Sequence, residues 1–209
     1  MVVLITQFFN SCLRYGYFPK NFKEAKVIPI KKSNKQSHSA LSYRPISLLS
    51  SISKMLERII KDKVLTHIED NNILPAHQFG FRWEHNTMHP LLRIRNMVKS
   101  NFSHQKSTGM ILLDIKSAFD SVWHDALIHK HIKLKFNENI IKIIQSFLSL
   151  RSFRVHIGAK SSSLYLIKAG CPQGSCLSPI LYNLYTWRLG YTMFRCSCIR
   201  HDYKIRRCS

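Results

Sequence analysis

The sequence predicts an α+β fold, and three observations carry that reading. Apolar residues recur at helical spacing over residues 2–15, 53–70 and 137–148. The period switches to two at Phe153, Val155 and Ile157, which alternate with Arg154 and His156 before Gly158, and Leu164 and Leu166 alternate on the way back. Finally, Met110-Ile-Leu-Leu113 runs into Asp114 and a short turn, a pattern that reads as a buried strand. A carboxylate at the end of such a strand is costly to desolvate without a cation against it. From this stretch alone, metal binding and capping of the next helix both remain open.

In chain order, residues 2–15 predict a helix with Val3, Ile5, Phe8, Phe9, Cys12 and Leu13 on one face, stopped by Gly16 and followed by Pro19. Ala25–Ile30 reads as a short extended segment that Pro29 confines to an edge. Lys31, Lys32 and Lys35 lead to Tyr43–Leu49, and together they predict a basic hairpin with its tip in solvent. Over 53–70, Leu56, Ile59, Ile60, Val64 and Ile68 form the apolar stripe, with Glu57 and Lys61 as an i,i+4 pair on the other face. Gln78-Phe-Gly-Phe-Arg82 is a turn whose rings and cation suit either base stacking or pinning a loop. A helix from about Thr87 tolerates Pro90 in its first turn and should bury Leu91, Ile94, Val98 and Phe102. Helices are expected near 121–133 and from Asn137, the latter striped by Ile140, Ile141, Ile144, Phe147 and Leu148. The hairpin then delivers the chain to Gly170-Cys-Pro-Gln-Gly-Ser-Cys-Leu-Ser-Pro179, where Ser178 and Pro179 make a sound helix start and Ile180, Leu181 and Leu184 point inward. Gly174 allows close backbone approach and Gln173 offers an amide, which together suggest a ligand site.

Composition bounds the partners. Among 209 residues, 32 Lys+Arg stand against 11 Asp+Glu, a net charge of +21 spread along the whole chain. Such a field favours nucleic acid over a membrane surface, whose basic binders concentrate charge on one amphipathic helix. The six cysteines contain no Cys-x-x-Cys pair and read as reduced thiols of an intracellular protein, nuclear or cytoplasmic. Cys196, Cys198, His201 and Cys208 fit no common zinc spacing. The start has no basic leader, and no stretch is long enough to span a bilayer.

Taken together, these residues resemble the reverse transcriptase domain of non-LTR (LINE-like) retrotransposons of the insect jockey type. The resemblance rests on an ordered series: Gly16-Tyr-Phe-Pro19, Val27-Ile-Pro-Ile30, Tyr43–Leu49, Gln78–Arg82, Leu112–Asp120 and Gly170–Asn183. It implies a right-hand polymerase fold, with fingers over 1–105 and a partial palm over 106–186, built as an antiparallel sheet backed by helices. It further implies RNA template, DNA primer and deoxynucleoside triphosphates as partners and Mg²⁺ or Mn²⁺ as cofactor. Asp114 matches the first metal-binding aspartate of a two-ion centre that activates the primer oxygen. Phe119 matches the aromatic gate against a ribose 2′-hydroxyl, and the turn of Ser117, Ala118 and Phe119 would hold the triphosphate. Arg44 matches a phosphate-contacting arginine. Gln173 and Gly174 match the motif that packs on the template–nucleotide pair. Lys31, Lys32 and Arg82 would contact nucleic acid, while Asp120 would serve the helix start.

The pattern breaks after Tyr185-Thr186. Residues 187–209 form an unrelated basic tail that reads as out of frame, without the family's Ala-Asp-Asp hairpin or thumb, and Asp202 is its one acid. The expectation is therefore a catalytically incomplete polymerase, truncated before its other carboxylates. Two alternatives are a non-catalytic basic remnant held to nucleic acid by charge, and a ribosomal-type RNA scaffold, which leaves the Ala-Phe-Asp and Pro-Gln-Gly series unexplained.

Overall fold

The computed structural model describes residues 2–32, 39, 42–112, 114–115 and 117–187. It divides into two units, the first of Met1–Leu74 with Ser117–Tyr185 and the second of Pro75–Lys116 with Thr186–Ser209. The described residues hold six α-helices and one five-stranded sheet.

In the first unit, α1 (Val2–Tyr15) ends as its sequence predicts. Gly16 takes φ +62°, the Tyr17 N–H donates to Cys12 O at 2.9 Å, and the Gly16 N–H donates to Leu13 O at 3.4 Å. A left-handed residue just past a helix permits this double closure. A Cβ at position 16 would stand 2.5 Å from Lys142 Cβ, so the same glycine lets α1 lie against α5 (Glu138–Leu148). Phe18 follows, fully buried, edge-on to Phe147 at 5.1 Å, with its N–H donating to Ser146 Oγ.

β1 (Glu24–Lys31) pairs antiparallel with β2 (Tyr43–Leu48), Lys26 opposite Leu48 and Lys31 opposite Tyr43, the pairing expected of a hairpin, whose tip lies mostly outside the described residues. Its other side pairs in parallel with β3 (Arg151–Ile157), Glu24 opposite Ser152 and Val27 opposite Val155. β4 (Lys160–Ser161) and β5 (Tyr165–Ile167) both return antiparallel to β3. The sheet is therefore mixed, where the family resemblance implies an antiparallel one. β1 is also interior rather than an edge strand. Pro29 is tolerated because the β3 pairing stops at Val27, leaving Pro29 facing only Pro45 of β2.

α2 (Ser51–Asp70) buries Leu56, Ile60, Val64 and Ile68. α4 (His124–Lys133) starts three residues later than expected. α5 is capped by Asn137, whose Oδ1 accepts the Asn139 N–H at 2.9 Å, and it buries Ile143, Ile144, Phe147 and Leu148. α6 (Ser178–Tyr185) adds Ile180, Leu181 and Leu184 to the same core. Ser178 opens the helix, but its hydroxyl donates to Pro172 O at 2.9 Å instead of capping, so it ties the helix to the preceding turn.

His131 is one of the titratable groups buried in this core. It is fully buried, and its Nδ1 bonds Leu127 O at 2.8 Å, which fixes the proton on that nitrogen because a carbonyl only accepts. Burial holds its pKa down at about 4 against an ordinary 6.5. The unfolded chain takes up the proton first, so this contribution is complete above about pH 6.5 and is lost as pH falls toward 4. By linkage the loss amounts to about 3 kcal/mol. Denaturant midpoints should fall across that window, and His131→Gln should flatten that part of the fall. An unchanged profile in the variant would reject this account.

The second unit is built around α3 (Met88–Ser103). Asn86 Oδ1 accepts the N–H groups of Met88 and His89 at 3.0 and 3.2 Å, taking the capping role at this end. The helix forms as expected, but the face read as buried is not: Leu91, Val98 and Phe102 are exposed, and α3 buries no residue. The expected strand at Met110–Asp114 is not found among its described residues, Leu113 lying outside them. Met110, Ile111 and Leu112 are exposed, and neither they nor Asp114 lie in a strand. An apolar run makes a strand only with a neighbour to take its backbone groups, and no described residues supply one. Among the described residues no helix is long and apolar enough to cross a membrane.

Candidate functional site

The Gly170–Pro179 segment is fixed on three sides within the first unit. On the first, it docks on the turn that precedes α4. The Gly170 N–H donates to Val122 O and the Cys171 N–H to Phe119 O, both at 2.8 Å, and His124 Nε2 donates to Gly170 O at 2.8 Å. Gly170 has φ +89°, and a Cβ there would stand 2.8 Å from Asp120 Cα, so the approach needs glycine. The docking turn is itself tight: Ser117 has φ +52°, and its carbonyl accepts from the N–H groups of Asp120 and Ser121 at 2.9 and 3.0 Å.

On the second side the segment meets β2. The Ser47 N–H donates to Gln173 O at 2.7 Å, and a Cβ on Gly174 (φ +123°) would overlap the Ser47 carbonyl. Arg44 lies three residues before Ser47 on the same strand and is exposed. β2 thus brings an arginine and the Pro-Gln-Gly turn onto one element.

On the third side is Glu57. Expected on an exposed helix face with Lys61, it is fully buried. Its Oε1 accepts from Ser53 Oγ at 2.9 Å, and its Oε2 accepts from Ser175 Oγ at 2.6 Å and the Cys176 N–H at 3.0 Å. Buried Arg151 is its nearby counter-charge, without a direct ion pair. Arg151 lies over the Phe147 ring at 4.6 Å and donates from Nη1 to Phe147 O at 3.1 Å. Burial lowers its pKa to about 10, which leaves it a cation at neutral pH. Burial likewise pushes the Cys171 thiol up to about 12, so Cys171 packs as an apolar group.

These supports leave a cleft of about 160 Å³ walled by Phe119, Pro172, Gln173, Gly174, Ser178 and Pro179. The Phe119 ring packs 5.1 Å from that of Tyr182, whose pKa burial raises, so the phenol beside it stays neutral. Gln173 Nε2 donates to both oxygens of Asp120 at 3.0 and 3.2 Å. Asp120, assigned from sequence to a helix start, is therefore a partner of Gln173.

Of the residues singled out from sequence, Phe119, Gln173 and Gly174 line this cleft, with Ser117 and Ala118 on the turn that carries Phe119, while Arg44 is exposed on β2, three residues from the Ser47 that bonds Gln173, and is not part of the lining. Lys31 ends β1 opposite Tyr43, and the Lys32 N–H donates to Ser42 O at 2.8 Å, so both sit at the base of the hairpin tip. Asp114 and Arg82 belong to the second unit. Asp114 is exposed, and Arg82 Nη1 donates to Pro75 O at 3.2 Å, pinning its own loop. Lys35 and residues 188–209, including Cys196, Cys198, His201 and Cys208, lie outside the described residues. Sequence reading missed Glu57 and Ser47. The first was detectable, since Ser53, Glu57, Ile60 and Val64 share one helical face.

Among the described residues no group of three or more His, Cys, Asp or Glu side chains could hold a metal ion. Asp114 offers a single carboxylate, and Asp120 already serves Gln173. This donor set does not fit a two-ion centre, which needs further carboxylates from residues outside those described.

The family profile described as reverse transcriptase (RNA-dependent DNA polymerase) matches residues 30–195. The RNA-directed DNA polymerase from mobile element jockey of Drosophila funebris is 43% identical over 178 residues, 85% of this chain and 19% of that protein. The Drosophila melanogaster jockey polymerase is 41% identical over 177 residues, 85% of this chain and 19% of the relative. The probable RNA-directed DNA polymerase from transposon BS of Drosophila melanogaster is 38% identical over 185 residues, 88% of this chain and 20% of the relative. The chain thus spans about a fifth of the length of these curated relatives.

Proposed function

The chain belongs to the reverse transcriptase (RNA-dependent DNA polymerase) family, and on that premise we propose that it forms the nucleotide-receiving part of a non-LTR mobile-element polymerase. The reading is supported above all by one observation: Phe119 and the Pro172–Gly174 turn wall one cleft, and the turn is bonded to the strand that carries Arg44. Arg44 binds the triphosphate through charge-assisted hydrogen bonds. The amides of Ser117, Ala118 and Phe119 complete that contact, and the Phe119 ring excludes a ribose 2′-hydroxyl. Gln173 and Gly174 form the wall against the template–nucleotide pair. Lys31, Lys32 and Arg82 follow the nucleic-acid backbone. In this reading residues 1–105 are fingers, 106–186 part of the palm, and 187–209 a separate basic tail. An intracellular place of action, nuclear or cytoplasmic, goes with it.

The family's chemistry uses divalent ions at carboxylates, to which Asp114 would contribute. Because the described residues hold no group of three or more metal-ligating side chains and the sequence lacks the family's Ala-Asp-Asp, the 209-residue chain should extend no primer on an RNA template with Mg²⁺ or Mn²⁺. Template-directed product that disappears in Asp114→Ala would overturn that expectation.

Binding tests the nucleotide-receiving role itself. Affinity for a primer–template should fall about a thousandfold between 50 and 200 mM salt if about six phosphates are contacted. A complementary deoxynucleoside triphosphate should tighten retention severalfold, an effect lost in Arg44→Ala. Steep salt dependence with complete indifference to nucleotide would instead identify a remnant held by charge alone, the reading that the net charge of +21 favours.

A further inference from the structure

We propose that Asp120 is a positioning residue for Gln173: its carboxylate takes the amide nitrogen and thereby commits the amide oxygen to the cleft. An ionised carboxylate has only acceptor sites, so it can hold only the NH₂ end of an amide. The two contacts, 3.0 Å to Oδ1 and 3.2 Å to Oδ2, come from the same nitrogen. Turning the amide over would remove both charge-assisted bonds and set its oxygen against the carboxylate.

The surroundings leave Gln173 little other freedom. Its backbone carbonyl is held by the Ser47 N–H at 2.7 Å, and two residues earlier the Cys171 N–H is held by Phe119 O at 2.8 Å. Only the side-chain torsions remain, and Asp120 fixes those. Asp120 is itself anchored, since its N–H donates to Ser117 O at 2.9 Å and Gly170 packs directly on its Cα. It does not cap α4, which begins four residues later at His124.

The chemical consequence is a polarity. With its nitrogen held by Asp120, Gln173 turns its amide oxygen to the cleft, so the wall favours a ligand that presents a hydroxyl or amino hydrogen there. That this ligand is a nucleotide rests on the function proposed above, whereas the orientation of the amide does not.

The test reads the amide directly, on the ¹⁵N-labelled 209-residue chain. The Gln173 side-chain amide pair should be shifted from those of exposed glutamines and should exchange with water about tenfold more slowly. In Asp120→Ala it should become indistinguishable from them, while the Cys171 backbone amide keeps its position and so reports an intact turn. Asp120→Asn, of equal size and with one remaining acceptor, should restore part of the protection and serves as the decisive variant if Asp120→Ala disturbs Cys171. A Gln173 pair that is unchanged in both variants would overturn the proposal. In a second arm, a deoxynucleoside triphosphate is titrated against the same resonances. Asp120→Ala should weaken its binding about fivefold, with no further loss in a Gln173→Ala background. Additive losses would overturn the positioning role. Absence of any nucleotide response in the unaltered chain would sink the proposed function, while the first arm would still decide the orientation.

Discussion

Replacing Glu57 with alanine should destabilise the first unit by about 3–5 kcal/mol, a large part of the stability of an ordinary domain. Three donors lose their acceptor together: the hydroxyls of Ser53 and Ser175 and the N–H of Cys176. None of these groups is freely exposed, so water does not readily replace the carboxylate. Arg151 also loses its nearby counter-charge while its Nε and Nη2 remain buried without a hydrogen-bond partner. The thermal midpoint should drop by roughly 10 °C or more. Glu57→Gln keeps one acceptor oxygen and should fall between the two, which preserves a readable comparison if the alanine variant does not fold. A Glu57→Ala chain that melts within about 2 °C of the unaltered one would show that the buried carboxylate contributes little.

Gly174→Ala should separate the Pro-Gln-Gly turn from β2. Two penalties coincide at this position. An L-residue does not settle at φ +123°, and the added Cβ falls on the Ser47 carbonyl, which is backbone and cannot rotate away. Strain of this kind costs of order 1–3 kcal/mol before any overlap is counted. The turn can relieve both only by moving off Ser47, which breaks the 2.7 Å bond from the Ser47 N–H to Gln173 O. Hydrogen exchange at the Ser47 amide should accelerate about a hundredfold, while the Cys176 amide, held by Glu57, should change much less. Equal acceleration at both sites would mean general loosening instead of a local separation. The nucleotide-dependent retention of primer–template that the proposed function entails should disappear in the same variant, since a wall of the cleft has moved.

Local features were legible in the sequence. Gly16 ends α1, Asn137 caps α5, and the two-residue period at Phe153–Ile157 returns through Gly158, because each depends on residues within one or two turns. What the sequence hid was long-range. The parallel pairing of β1 with β3 joins Glu24 to Ser152, and no local pattern announces it. Glu57 was misplaced because a favourable Glu57–Lys61 spacing was weighed without the donors that arrive 118 and 119 residues later. Asp120 was read as a cap for the same reason, its partner Gln173 being 53 residues away. Met110–Leu112 failed in the opposite direction. Its composition suits a strand, but composition does not supply the neighbour that a strand requires. The cleft was the best-read part of the local geometry, since Phe119, Gln173 and Gly174 were all chosen from sequence and all line it.

The register of β1 on β3 has a consequence for how the protein is made. Glu24 leaves the ribosome more than a hundred residues before Ser152, its eventual neighbour, with Pro75–Lys116 synthesised in between. At ordinary elongation rates β1 waits on the order of ten seconds, with only the β2 hairpin to occupy it. Such a nascent chain is a natural client for a chaperone that shields strands during translation, and refolding from denaturant should be slow for a protein of its size.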